Sequence, residues 1–187
     1  MPEIHYIIGD ATEPIHRPSV ICHCCNDGVR GQPAWGRGFV IALSAKYPEP
    51  EQEYRAWFKN KSMNCKGGPP RLGECQLVKV KPDIWVANII GQHGTQWEGK
   101  TPPIRYEAIE EGLEKANKWA LEIGATIHAP RLGAVLAGGE WKTLEGIIKK
   151  TMVVETYVYT LPNQAWKWKD PYENPGDAWK GNPVKAM

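Results

Sequence analysis

Apolar positions along the chain follow two periods. Short β-rich runs come first: Ile4-His5-Tyr6-Ile7-Ile8 stops at Gly9-Asp10, and Val20-Ile21-Cys22-His23-Cys24 follows it. Gln76-Leu77-Val78-Lys79-Val80 alternates, whereas Ile84-Trp85-Val86-Ala87-Asn88-Ile89-Ile90 is nearly continuous, as in a strand covered on both faces. Ala125-Thr126-Ile127-His128 and Thr156-Tyr157-Val158-Tyr159-Thr160-Leu161 complete a set of about six strands.

Between them the period changes to that of a helix. From Ile104 to Leu121, Ile109, Leu113, Ala116 and Ala120 fall on one face, and Glu110, Glu111, Glu114, Lys115 and Lys118 lie largely opposite. Pro102-Pro103 marks the entry of this helix and Gly124 its exit. Further helices are predicted from about Trp141 to Lys150, after Gly38, and near Glu51 to Phe58. Strands alternating with helices imply an α/β fold with helices on both faces of a sheet. Asn60 to Arg71 and Gly91 to Pro103 read as loops. After Leu161 the periodicity is lost, so residues 1–161 read as one domain and 162–187 as a C-terminal extension.

The length of 187 residues fits a single domain, and a hydrophobic content of 42% suffices for one core. A net charge of +2 selects no partner class. No apolar run approaches the roughly 20 residues of a membrane span, so no membrane partner is expected. Five cysteines, three of them in Cys22-His23-Cys24-Cys25, do not read as a secreted disulfide framework and suggest a cytoplasmic protein with free thiols. Side chains alternate across a strand, so this run does not converge on one ion, and no metal site is expected. No cofactor is expected, and a monomer is.

Three loops follow strands, where ligands of open α/β sheets gather. In Gly9-Asp10-Ala11-Thr12 the aspartate is placed to accept from an exocyclic amine; it reads equally as a turn or cap residue. The stretch from Asn26 to Phe39 is glycine-rich and runs into a helix, a combination suited to a diphosphate. Pro130 to Gly139 is a second small-residue loop.

Together these stretches resemble the macrodomain family. The resemblance rests on Ile8-Gly9-Asp10-Ala11-Thr12, Trp35-Gly36-Arg37-Gly38, Tyr47-Pro48-Glu49-Pro50, Gln92-His93, Ala108 to Leu113, Ala125 to Gly133 and Tyr157 to Leu161. Within the family it looks nearest the branch that holds the macrodomain of a chromatin remodeller, with a glutamate hydrolase and a yeast phosphatase as relatives. It implies a three-layer α/β/α fold with a mixed six-stranded sheet and a cleft for ADP-ribose or an ADP-ribosylated macromolecule. Carried over, Asp10 and the amide of Ala11 would hold the adenine, and Asn26 or Asp27 would face the distal ribose. Trp35, Gly36, Arg37, Gly38 and Phe39 would wrap the diphosphate, with Gln92 beside them. Arg131, Leu132, Gly133, Ala134, Val135, Leu136 and Ala137 would close from the other side.

The resemblance leaves turnover open. The glutamate hydrolase branch uses a lysine where this chain reads Gly91-Gln92, and an acid where it reads Ala137, so that mechanism is not expected. His23-Cys24-Cys25-Asn26 resembles the branch that dephosphorylates ADP-ribose-1''-phosphate, which would make His23 catalytic. The alternative is a strand-end histidine held by hydrogen bonds. In the extension, Trp166, Trp168 and Trp179 interleave with lysines. A strap docked by its tryptophans is favoured over a platform for nucleic acid.

Overall fold

The computed structural model describes residues 2–59, 69–134, 136–168, 170 and 172–173. The strands are β1 (Ile4–Ile8), β2 (Ser19–Asn26), β3 (Cys75–Lys81), β4 (Ile84–Gln92), β5 (Thr126–Pro130), β6 (Thr156–Thr160) and β7 (Tyr172–Glu173). The helices are α1 (Phe39–Lys46), α2 (Glu49–Phe58), α3 (Tyr106–Ile123) and α4 (Trp141–Thr151), and a 3-10 turn covers Pro162–Lys167. The sheet runs β3-β4-β2-β5-β6-β1-β7, with β3 antiparallel to β4 and every other pair parallel. The six expected strands form this mixed sheet. The seventh, two residues long, comes from the extension and pairs Tyr6 with Tyr172 and Ile7 with Glu173.

Both faces are covered, which explains the unbroken apolar run of β4. On one face Ile89, Val20 and Ile127 pack with Ile109, Leu113 and Ala116 of α3 and with Leu144 and Ile148 of α4. On the other, Ile21, Val86 and Ile84 meet Leu43 of α1 and Tyr47, while Cys25 and Ile90 meet Tyr54 and Trp57 of α2. α3 begins two residues later than its periodicity suggests, because Ile104 bridges to Gln92 and Arg105 is extended. It ends where Gly124 adopts the left-handed conformation, φ 66°. Among the described residues, no helix is long and apolar enough to cross a membrane.

Candidate functional site

Because β4, β2, β5, β6 and β1 are parallel, their carboxyl ends share one edge of the sheet. At the β1 end lies Asp10. Its Oδ1 accepts from the Thr12 backbone N–H and hydroxyl, both at 2.8 Å. The turn reading of Asp10 therefore holds, yet Oδ2 has no partner among the described residues. Ala11 is buried against Ile7 and Tyr159, and the Tyr47 hydroxyl donates to the Thr12 carbonyl at 3.1 Å. This loop is held from below, with one carboxylate oxygen left over.

In the middle of the edge two loops meet. Gly36, Arg37 and Gly38 are exposed and lead into α1, whose N-terminus no side chain caps. Gly38 has φ 77°, and a Cβ there would lie 2.7 Å from Leu136 Cδ1. Position 38 thus combines a conformation that favours glycine with a close approach of Leu136, which a larger residue would have to displace. Leu136 is exposed, whereas Leu132 and Ala137 are buried in the core with Ile104, and Gly133 packs on Ile104. Of this loop, Leu136 is the side chain set against α1; Ala134 packs inward, and Val135 lies outside the described residues. Trp35 and Phe39 are half-buried behind the loop. Trp35 donates to Ser44 Oγ at 2.8 Å, and Phe39 packs on the β2 and β6 sides of the sheet.

Arg131 does not join this set. Its guanidinium lies against the rings of Trp168, Trp141 and Tyr6, at 4.2, 4.8 and 5.3 Å. It pairs with Asp170 and donates to Thr160 Oγ1 at 3.1 Å. Three aromatic faces and a carboxylate supplied by the extension outcompete the cleft for this cation.

At the far end stand Asn26 and Asp27. Asn26 is spent on the fold: its amide donates to the Ala34 carbonyl, and its Oδ1 accepts from the Gly28 N–H and from Tyr54 Oη, at 2.8 to 2.9 Å. Tyr54 Oη also lies 3.0 Å from the Asn26 carbonyl. Tyr54→Phe is expected to lower stability by about 1–3 kcal/mol, because it leaves buried acceptors of Asn26 short of a donor. Chemical denaturation checks this. Asp27 differs in holding His93 at 2.7 Å and the Gly94 N–H at 2.8 Å. Gln92 donates to the Gly94 carbonyl at 2.9 Å and supports the same loop.

His23 lies beneath the site, 1% exposed, between Trp35 and Phe39. Its Nε2 donates to Asn88 Oδ1 at 2.5 Å, and the Asn88 amide donates to Pro50 O and Gln76 Oε1 at 3.0 Å. Burial draws its pKa down to about 4, against the smaller opposing effect of the Asn88 bond. His23 is thus buried and joined to three elements, and access weighs against the catalytic expectation, because the imidazole lies between two aromatic rings. Position 91 is also sterically closed. A Cβ on Gly91 would lie 2.1 Å from Ile109 Cδ1, so no lysine fits there.

The His93–Asp27 pair is the feature that sequence reasoning missed; only the positions of both residues directly after parallel strands hinted at it. With Gly28, Val29, Arg30, Gly94, Thr95, Gln96 and Glu98, His93 lines a hollow of about 250 Å3.

The fold and these loops have relatives. A Bacteroides thetaiotaomicron protein is 42% identical, with 86% of this chain and 99% of that one covered and a TM-score of 0.76. The macrodomain protein of Streptomyces coelicolor is 42% identical over 84% of this chain and 99% of its own, with a TM-score of 0.69. Mouse chromodomain-helicase-DNA-binding protein 1-like is 29% identical over 181 residues, or 90% of this chain. This chain spans only about a fifth, 19%, of that relative's length. No family model matches the chain. The likeness to the Streptomyces protein, at this identity and over nearly all of its length, places the chain in the macrodomain family.

Proposed function

We propose that this chain binds ADP-ribose, or an ADP-ribosyl group, along the carboxyl edge of its sheet. One observation carries the reading: an Asp10 oxygen without a partner among the described residues, an uncapped helix N-terminus and the hollow beside His93 lie in order along that edge. From β1 to β2 the edge crosses β6 and β5, three strand spacings or about 14 Å. That span suits an extended ligand with a base at one end, a diphosphate in the middle and a sugar at the other. Asp10 and the amide of Ala11 take the adenine. The first N–H groups of α1, with Gly36, Arg37 and Gly38, take the diphosphate. Leu136 folds over it from the other side, and Asp27 faces the distal ribose.

Calorimetry with ADP-ribose and no added metal is expected to give saturable binding. Asp10→Ala is expected to weaken it by about 1.5–3 kcal/mol, the range for a hydrogen bond to a charged group. Because Ala also removes the Thr12 turn, Asp10→Asn is the sharper probe: it keeps an acceptor for Thr12 and removes the charge. Unchanged affinity in both variants, or no heat with the native chain, overturns the reading.

A further inference from the structure

We infer that the hydrogen-bonded series Trp35–Ser44–Glu51 sets the diphosphate loop against the N-terminus of α1, which makes Ser44 and Glu51 positioning residues for ligand binding. The inference rests on the ADP-ribose reading above. In that reading the diphosphate is held from two sides, by the backbone of Gly36, Arg37 and Gly38 and by the first N–H groups of α1. A cradle of this kind works only if its two sides keep a fixed angle, and the loop itself supplies little stiffness. Gly36 and Arg37 are exposed, a Cβ on Gly36 would meet nothing within 4 Å, and Gly38 takes a positive φ.

The stiffness comes from behind. The Ala34 carbonyl accepts from the Asn26 amide at 2.8 Å. The half-buried ring of Trp35 lies 5.1 Å from that of Tyr54 and meets His23 edge-on at 5.4 Å, centroid to centroid. Its indole N–H donates at 2.8 Å to Oγ of Ser44, nine residues further on and in the body of α1. One bond therefore closes the loop back onto the helix it feeds.

The direction of that bond is dictated. An indole N–H can only donate, so Ser44 must accept and send its single proton elsewhere. A serine inside a helix ordinarily sends it to the carbonyl one turn back, which would swing Oγ along the helix. Here Glu51, in the first turn of α2, takes it at 2.7 Å. Arg55 holds the other carboxylate oxygen at 2.9 Å. Burial pushes the Glu51 carboxyl up, but the Ser44 and Arg55 bonds together hold it below the usual carboxylate range, so at neutral pH it can only accept. Donor, relay and acceptor thus come from the loop, α1 and α2. A plain stitch between the two helices needs only Ser44 and Glu51; the Trp35 bond is what extends it to the loop.

The test uses the full chain, with ADP-ribose affinity from calorimetry, adenosine affinity from NMR titration and melting temperature on the same samples. Adenosine reaches the Asp10 end of the cleft and lacks the diphosphate. Ser44→Ala keeps a good helix former, and Trp35→Phe keeps an aromatic ring. Each is expected to weaken ADP-ribose about tenfold and to leave adenosine within about twofold of native. In the double variant Ser44→Ala is expected to add nothing to Trp35→Phe, because both break the same bond. Ser44→Thr keeps the hydroxyl and is expected to bind as the native chain does. Glu51→Ala is expected to act as Ser44→Ala does, whereas Arg55→Ala, which loses only an exposed ion pair, stays within about twofold. A stitch between helices alone predicts a lower melting temperature with ADP-ribose affinity unchanged, and that result overturns the inference. So does an additive double variant, or equal weakening of both ligands. A native chain that binds no ADP-ribose overturns the cleft reading itself.

Discussion

Acidification from about pH 7 to about pH 5 is expected to cost about 4 kcal/mol of unfolding free energy through two buried histidines. His23 is drawn down to about 4 by burial. His128 is drawn down to about 3, chiefly by burial and also by the nearby His16. Its ring lies between Thr126 Oγ1 and Tyr159 Oη, at 2.7 and 2.8 Å, and stacks on Tyr157. In the unfolded chain both imidazoles titrate near about 6.5. Above that pH neither state binds the proton, and the contribution to stability is constant. As pH falls below it, the unfolded chain takes up protons that the folded chain refuses until near the folded pKa. Stability is therefore lost from about 6.5 down to about 4 for His23 and to about 3 for His128, at about 1.4 kcal/mol per pH unit for each. By pH 5 each contributes a loss of about 2 kcal/mol. Urea denaturation of native protein and His23→Gln at both pH values isolates one of them: the variant is expected to lose about 2 kcal/mol less than the native chain. Equal losses would mean that His23 is not neutral in the folded state.

The same histidine shows why the site was only half legible in the sequence. Strand and helix periods are set by local burial, so β1, β4 and the helix from 141 to 151 follow from the apolar pattern to within a residue or two, as does the start of the helix at 39. The loops after the strands were recognisable because glycine and aspartate at strand ends have few uses. What pattern reading does not give is the direction of a polar side chain. His23 and Asn26 stand in motif positions, yet the β2–β4 pairing sets His23 beside Asn88, and Tyr54 reaches from α2 to occupy Asn26. Both partners are more than 25 residues away in sequence. His93 and Asp27 are likewise joined only when β4 aligns with β2. The loop from Asn60 to Arg71, and Trp179 of the extension, lie for the most part outside the described residues.

Arg131 is the clearest case of direction decided by distant sequence, because its carboxylate partner Asp170 and the nearest ring, Trp168, come from the extension. Asp170→Ala is expected to lower stability by about 3–5 kcal/mol, the range for removing one partner of a buried ion pair. For a domain of this size that corresponds to a fall of about 10 °C in melting temperature. The pair is well covered, with side-chain exposures of 5% and 14%. Among the described residues Arg131 Nη1 has no hydrogen-bond partner, and without Asp170 the guanidinium keeps, among them, Thr160, a long contact to Tyr172 and the aromatic faces. The loss arises from the stranded charge and not from the pair's net worth. Arg131→Met in the Asp170→Ala background is therefore expected to recover most of it, since an apolar chain of similar length suits the space between Trp141, Trp168 and Tyr6. Truncation after Pro162 removes Asp170, Trp168, Tyr172 and the β7 pairing together, and is expected to destabilise at least as much as Asp170→Ala. Trp166 is a different kind of residue: it is 64% exposed, and its ring meets Lys167 Nζ at 5.7 Å. Trp166→Ala is expected to leave the melting temperature nearly unchanged. A melt in which Trp166→Ala falls as far as Asp170→Ala, or in which the truncated chain melts with the full one, would show that the Arg131 clamp is not what holds the extension to the domain.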